Sequence, residues 1–296
     1  MFDLRYHVAS LAAVFLALMI GIVVGVGISD RGFLRGTERS LFEKEIRDLR
    51  QKVDALGRQQ AAQADERRAA DAMIRETYPE LVGDRLKGKR VAVVFVGSVD
   101  AGVRGNVEHA LADGGGQVLR LRALKVPLDR SAINQALTAH PSLASYAGEG
   151  NLKELGRALG EELVTGAETP LWDGLARELV EERVGTGQRA ADAVVVARSV
   201  PPQLDGTARF LRGLYSGLAS AGVPAVGVEA SSTPWSTVET FRRSGISSVD
   251  SIDTIAGRLA LVLLLAGGQE GHYGFKRSAS DGPLPALDSV PPPPRG

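Results

Sequence analysis

The chain has no cysteine, which removes disulfides, zinc–thiolate centres and thiol catalysis. Methionine is confined to Met1, Met19 and Met73, and histidine to His7, His109, His140 and His272. No two of these histidines are close in sequence, so no metal-ligand spacing stands out. An excess of one charge is missing too. Lys plus Arg and Asp plus Glu are both 35, a formal net charge of zero, so no basic excess points to nucleic acid and no long like-charge block points to an anionic tail. The catalytic signatures are also lacking. Gly97, Gly102 and Gly105 do not have the G-x-G-x-x-G spacing, no Walker lysine follows, and no nucleophile elbow surrounds Ser98. Ser98, Asp100 and His109 therefore do not read as a hydrolytic set. The adjacent pairs Glu161–Glu162 and Glu181–Glu182 read as solvated helix faces, because neighbours on a helix point apart. The chain is expected not to be an enzyme, and no cofactor is identified.

What is present begins with one long apolar run. Val8 to Ile28 holds twenty-one residues with no charge and a single hydroxyl at Ser10. A helix of that length spans about 30 Å, the thickness of a bilayer's hydrocarbon core. The run is too long for a signal peptide's apolar region and lacks an A-x-A cleavage pattern, so a retained span is expected, with residues 1–37 as the membrane anchor. Arg31, Arg35, Arg39 and Lys44 follow it, and by the positive-inside rule they favour a cytoplasmic C-terminal side. Gly21 and Gly25 stand four apart, a spacing that lets two membrane helices approach closely.

Residues 38–78 read as one coiled-coil stalk ended by Pro79. Phe42, Ile46, Leu49, Val53 and Leu56 recur at intervals of four and three, the heptad rhythm. β-Branched residues at a (Ile46, Val53) with leucine at d (Leu49, Leu56) favour a parallel pair. The expected dimer interface is thus Gly21, Gly25, Ile46, Leu49, Val53 and Leu56. The alternative is a single helix packed on its own domain.

Residues 79–280 read as an α/β domain, with about 190 residues available for a core. Arg90–Val96 is a valine-rich buried strand, Val103–Ala112 a helix and Gln117–Leu121 a second strand: a β-α-β unit, hence a parallel pair. Leu128–Gly185 reads mostly as helix, with Ser131 and Asn151 as caps and Leu171–Arg183 as its last segment. Ala193–Ala197, a helix from Asp205 to about Ser220, and Pro224–Val228 repeat the unit. A helix from about Pro234 to Arg243 and a short strand at Ile246–Val249 follow. The apolar helix from Asp253 to Ala266 is too short for a comfortable second span. Gly267–Gly274 reads as loop and residues 281–296 as an extended, disordered proline-rich tail. The fold class is α/β: a single transmembrane helix, a coiled-coil helix, then a Rossmann-like domain with a mostly parallel sheet. A small ligand in such a sheet would sit at the strand ends near Ser98, Asp100, Ser199 and Glu229.

The opening Leu4-Arg5-Tyr6-His7, running into Ser10-Leu11-Ala12-Ala13-Val14-Phe15-Leu16-Ala17-Leu18, and the closing Gly271-His272-Tyr273-Gly274 with Leu284-Pro285 resemble the copper transport protein B family of actinobacteria. The resemblance extends to about residue 285. It implies a cell-envelope membrane protein with a role in copper transport or homeostasis, its large domain extracytoplasmic, against the Lys/Arg count. Copper enters through this resemblance alone. Under it, His7, Met19 and His272 are the candidate metal-site residues, since copper(I) prefers thioether and copper(II) accepts imidazole. His272 and Tyr273, set between glycines, also read as a segment that docks on the domain. The expected partners are the lipid bilayer, a second copy in a parallel homodimer, and an envelope protein. The competing reading is a non-enzymatic scaffold whose stalk or domain recruits a partner such as a cell-wall hydrolase. A sensor whose domain binds a small ligand is the third.

Overall fold

The structure is a computed structural model that describes residues 4–29, 32–166, 168–185 and 189–292, with side chains from Val8 to Gly25 and from Lys44 onward apart from Asp71. The chain divides into two compact units, Met1–Ala69 and Ala70–Gly296.

The first unit is helical. α1 (Leu4–Ser29) contains the stretch Val8–Gly25, which is long and apolar enough to cross a membrane and is not buried by protein at any point. An apolar helix with no protein over it is what a bilayer span requires. α2 (Gly32–Val82) runs on from the first unit into the second. It starts earlier than the expected stalk, and residues 30 and 31 lie outside the described residues. It also passes Pro79, which was expected to end it. The helix survives one turn beyond the proline because Tyr78 and Val82 are buried in the domain core, and the Gly83 N–H closes the turn on the Pro79 carbonyl at 2.9 Å. Tertiary packing here outweighs the lost N–H.

The second unit is a mixed α/β domain. Its elements in order are β1 (Arg90–Val96), α3 (Ala101–Asp113), β2 (Gln117–Leu124), α4 (Arg130–Ala139), α5 (Leu152–Thr165), α6 (Pro170–Gly174) and α7 (Ala176–Leu179). β3 (Val180–Val184), β4 (Ala193–Arg198), α8 (Asp205–Ser220), β5 (Ala225–Val228), α9 (Val238–Arg243), β6 (Ser247–Val249), α10 (Ile255–Leu265) and β7 (His272–Tyr273) complete it. The seven strands form one sheet in the order β3-β2-β1-β4-β5-β6-β7. All neighbours are parallel except β2 and β3. Both faces are covered, as parallel sheets require. Ala92, Val94, Val96, Val194 and Val196 pack against α4, α5 and α8. Val91, Val93, Phe95, Val195 and Ala197 pack against α3 and α10.

Two strands differ from the sequence expectation. β3 occupies the end of the segment read as helix. Its Glu181 and Arg183 suit an exposed edge, and its pairing partner is β2, far back in the chain. β7 lies within the expected Gly267–Gly274 loop. It is two residues long and pairs only with β6. The helix starts shift slightly: Asp129 and Thr254, rather than Ser131 and Asp253, accept the capping N–H bonds. α9 begins at Val238, later than expected. The stretch expected as a free tail carries a short 3₁₀ turn at Leu287–Ser289, and Val290 is buried beside α10. Residues 293–296 lie outside the described residues.

α5 and α8 cross backbone to backbone. A Cβ on Gly156 would lie 2.1 Å from the Phe210 carbonyl oxygen, and one on Gly213 would lie 1.9 Å from that of Lys153. Gly160 and Gly217 continue the contact one turn on. This close crossing holds the helical layer over β1 and β4.

Candidate functional site

The strand order reverses at β1, where β2 departs to one side and β4 to the other. Ligands of open α/β sheets gather in the crevice outside such strand ends. A cavity of about 200 Å³ lies there, lined among others by Phe95, Asp100, Arg198, Ser199, Glu229 and Trp235. Of the four strand-end residues named from the sequence, Asp100, Ser199 and Glu229 line it, and Ser98 is not among its lining residues.

Their hydrogen bonds show structural work. Asp100 accepts the Val103 N–H at 2.8 Å and caps α3. The Ser199 hydroxyl donates to the Ser98 carbonyl at 2.6 Å, tying the β4 exit to the β1 exit. Gly97, with φ at +97°, makes room: a Cβ there would meet Ser199 Oγ at 2.7 Å. Glu229 is buried and accepts from the Thr237 N–H at 2.6 Å, the Thr237 hydroxyl at 2.8 Å and Lys276 Nζ at 2.9 Å. His109 is exposed on α3, and the bond Asp100 makes goes to its helix cap, so Ser98, Asp100 and His109 are not assembled into a catalytic set.

Lys276 was not singled out in the sequence, yet it ties together three residues of the cleft's lining, Glu229, Ala230 and Thr233. Besides Glu229, its ammonium donates to the Ala230 carbonyl at 2.8 Å and the Thr233 carbonyl at 3.3 Å. The fully buried Asp250 takes the Phe275 and Lys276 N–H groups at 2.9 Å each. Gly274, at φ +143°, is the only residue type that fits beneath it, because a Cβ would sit 1.8 Å from Asp250 Oδ1. The Gly271-His272-Tyr273-Gly274 string therefore builds a strand and a latch. Tyr273 is buried and its hydroxyl donates to the Gln269 carbonyl at 3.1 Å. His272 Nδ1 lies 3.0 Å from the Ser248 hydroxyl, and the His272 N–H donates to Asp281 at 2.7 Å. Burial, then nearby Arg242, pulls the His272 imidazole below its ordinary pKa, which favours the neutral ring.

The candidate metal residues fall in different units of the chain. Met19 is exposed on α1 in the first unit and His272 belongs to the second. His7 is on α1, but its side chain lies outside the described residues. Among the described residues there is no group of three or more His, Asp or Glu side chains placed to hold a metal ion. Among the described residues, Gly21 and Gly25 of the expected dimer face have nothing within 4 Å, and Ile46, Leu49, Val53 and Leu56 are 48–65% exposed. Glu162 corrects the solvated-face reading. It accepts the Leu171 and Trp172 N–H groups at 3.1 and 3.3 Å, and burial raises its carboxyl pKa. Glu182 is ion-paired with Arg104 at 2.9 Å.

An apolar N-terminal helix joined to a mixed α/β domain, with a mostly parallel sheet and a cleft built from latching contacts, defines a class of helix-bearing α/β protein without an assembled metal cluster among its described residues. The chain belongs to the family described as "Copper transport outer membrane protein, MctB", whose profile matches residues 1–283. It is similar to the "Copper transporter MctB" of Mycobacterium tuberculosis (strain H37Rv), 28% identical over 312 residues that cover 94% of this chain and 98% of the relative. The protein of the same name from Mycobacterium bovis matches at the same identity of 28%.

Proposed function

We propose that this chain acts in copper transport in the cell envelope, as a non-enzymatic protein held to a membrane by α1. The family match over residues 1–283 carries this reading. The length and apolarity of α1 support membrane attachment. One helix cannot enclose a pore, so copper passage through the protein requires several copies side by side. The exposed heptad residues Ile46, Leu49, Val53 and Leu56 support a parallel coiled-coil pair, with the Gly21–Gly25 face in the same assembly. Copper is the cargo in this reading, with His7, Met19 and His272 as trial ligands contributed by different copies. The large domain is extracytoplasmic and Rossmann-like: the order β3-β2-β1-β4-β5-β6 supports that description, with β3 reversed.

The test is cellular copper content. Cells lacking the protein and cells with it restored are grown in copper and their metal is measured by atomic absorption. A difference that restoration abolishes supports the role. Equal copper content in both, under conditions where the protein is produced, refutes it.

A further inference from the structure

A second cavity, on the α8–α9 side of the sheet, has a composition unlike the rest of this neutral chain. It measures about 710 Å³ and its lining includes Lys153, Arg198, Arg209, Arg212 and Arg243, with no aspartate or glutamate. Lys153 comes from α5, Arg198 from the end of β4, Arg209 and Arg212 from successive turns of α8, and Arg243 from α9. Among the described residues Arg243 alone of these is ion-paired, with Glu239 at 2.9 Å. Arg209 and Arg212 are exposed and have no ion-pair partner among the described residues.

The decisive group is Arg198. It is only 7% exposed, and its Nε and Nη2 are buried without a hydrogen-bond partner among the described residues. The buried carboxylate whose charge acts on it, Glu229, is already occupied by Lys276 and Thr237. Tyr215 lines the same cavity, and its hydroxyl is buried and unpartnered among the described residues too. A buried guanidinium without an anion is costly, and its fork of N–H donors matches a phosphate or carboxylate edge. Desolvation lowers the Arg198 pKa, and the Tyr215 phenol is pushed up to about 12 by burial. The Tyr215 phenol thus keeps its proton at neutral pH and can donate it in a hydrogen bond.

We propose that this cavity binds a phosphate-bearing anion of two or more negative charges, with Arg198 and Tyr215 contacting it from the floor and Arg209, Arg212 and Lys153 at the mouth. The volume exceeds that of one phosphate, so the group is part of a larger molecule: a soluble phosphate ester or the headgroup of an anionic phospholipid.

Full-length protein in zwitterionic nanodiscs is titrated calorimetrically with inorganic pyrophosphate and, separately, with a water-soluble short-chain phosphatidic acid. The variants are R209S/R212S, which alters only exposed side chains, and R198M. Saturable pyrophosphate binding that R209S/R212S weakens at least tenfold, and that weakens further with rising salt, supports the soluble ester. Binding of the short-chain lipid alone, with the same sensitivity, supports the headgroup. R198M is expected to fold, since an apolar side chain of similar length relieves a buried charge, and to lose binding. Absence of binding by both probes, or binding that R209S/R212S leaves unchanged, overturns the proposal.

Discussion

Lys276 illustrates how a residue far along the chain holds the cleft. Its ammonium satisfies Glu229, whose side chain is 1% exposed, while Lys276 itself is 21% exposed. Removing one partner leaves a buried carboxylate uncompensated, so Lys276→Met should destabilise the domain by about 3 kcal/mol in denaturant titration. A loss under about 1 kcal/mol would mean that water replaces the ammonium readily. Asp192 is a different case. The Arg90 guanidinium, 3.0 Å away, holds its carboxyl below the usual carboxylate range, and burial opposes this. A carboxyl with a depressed folded pKa adds stability above its unfolded value and loses it as pH falls through the folded one. The melting-temperature advantage of the wild type over Asp192→Asn should therefore be full near neutral pH and shrink as the pH drops from about 5 toward 2. An advantage that stays constant over that range would show that the ion pair is energetically silent. At this scale the site was only partly legible. Asp100, Ser199 and Glu229 could be placed because strand ends are visible in sequence, but their roles depend on partners that come from distant positions. Lys276, 47 residues beyond Glu229, carries no local signal that it would turn back.

Among the elements, the buried strands were the most legible. Apart from Arg90 at the start of β1 and Arg198 at the end of β4, both strands are apolar because both sheet faces are covered, and such runs stand out against a 24% charged chain. β3 and β7 were missed because edge strands are short, partly polar and defined by pairing alone. Pro79 misled for a related reason: a local rule met a tertiary contact that outweighed it. The four-residue glycine spacing noted at Gly21 and Gly25 recurs in the domain, where Gly156–Gly160 and Gly213–Gly217 bring two helices into backbone contact. Gly213→Ala should cost about 3 kcal/mol, since its methyl would have to displace the Lys153 carbonyl and part α5 from α8. Gly57→Ala, with nothing within 4 Å, should instead leave the domain's melting temperature unchanged or slightly raised. Equal responses from the two variants would refute the close crossing.

For the molecule as a whole, the proposed assembly and cargo are linked, because the one membrane-length apolar helix among the described residues makes no channel by itself. The absence of native cysteine makes the assembly directly testable. Val53→Cys, at an a position of the heptad, should crosslink to a dimer on oxidation in membranes, while Gln51→Cys, at f on the opposite side, should not. Equal crosslinking at both positions would argue for random collision. The central claim is a role in copper transport, and the most direct measurement is copper flux into liposomes carrying the purified full-length protein, with copper(I) and copper(II) tested separately. The account predicts copper entry that scales with protein and falls when the dimer-face residues Leu49 and Leu56 are made polar. Liposomes that stay impermeable to both copper ions at every protein density would contradict it.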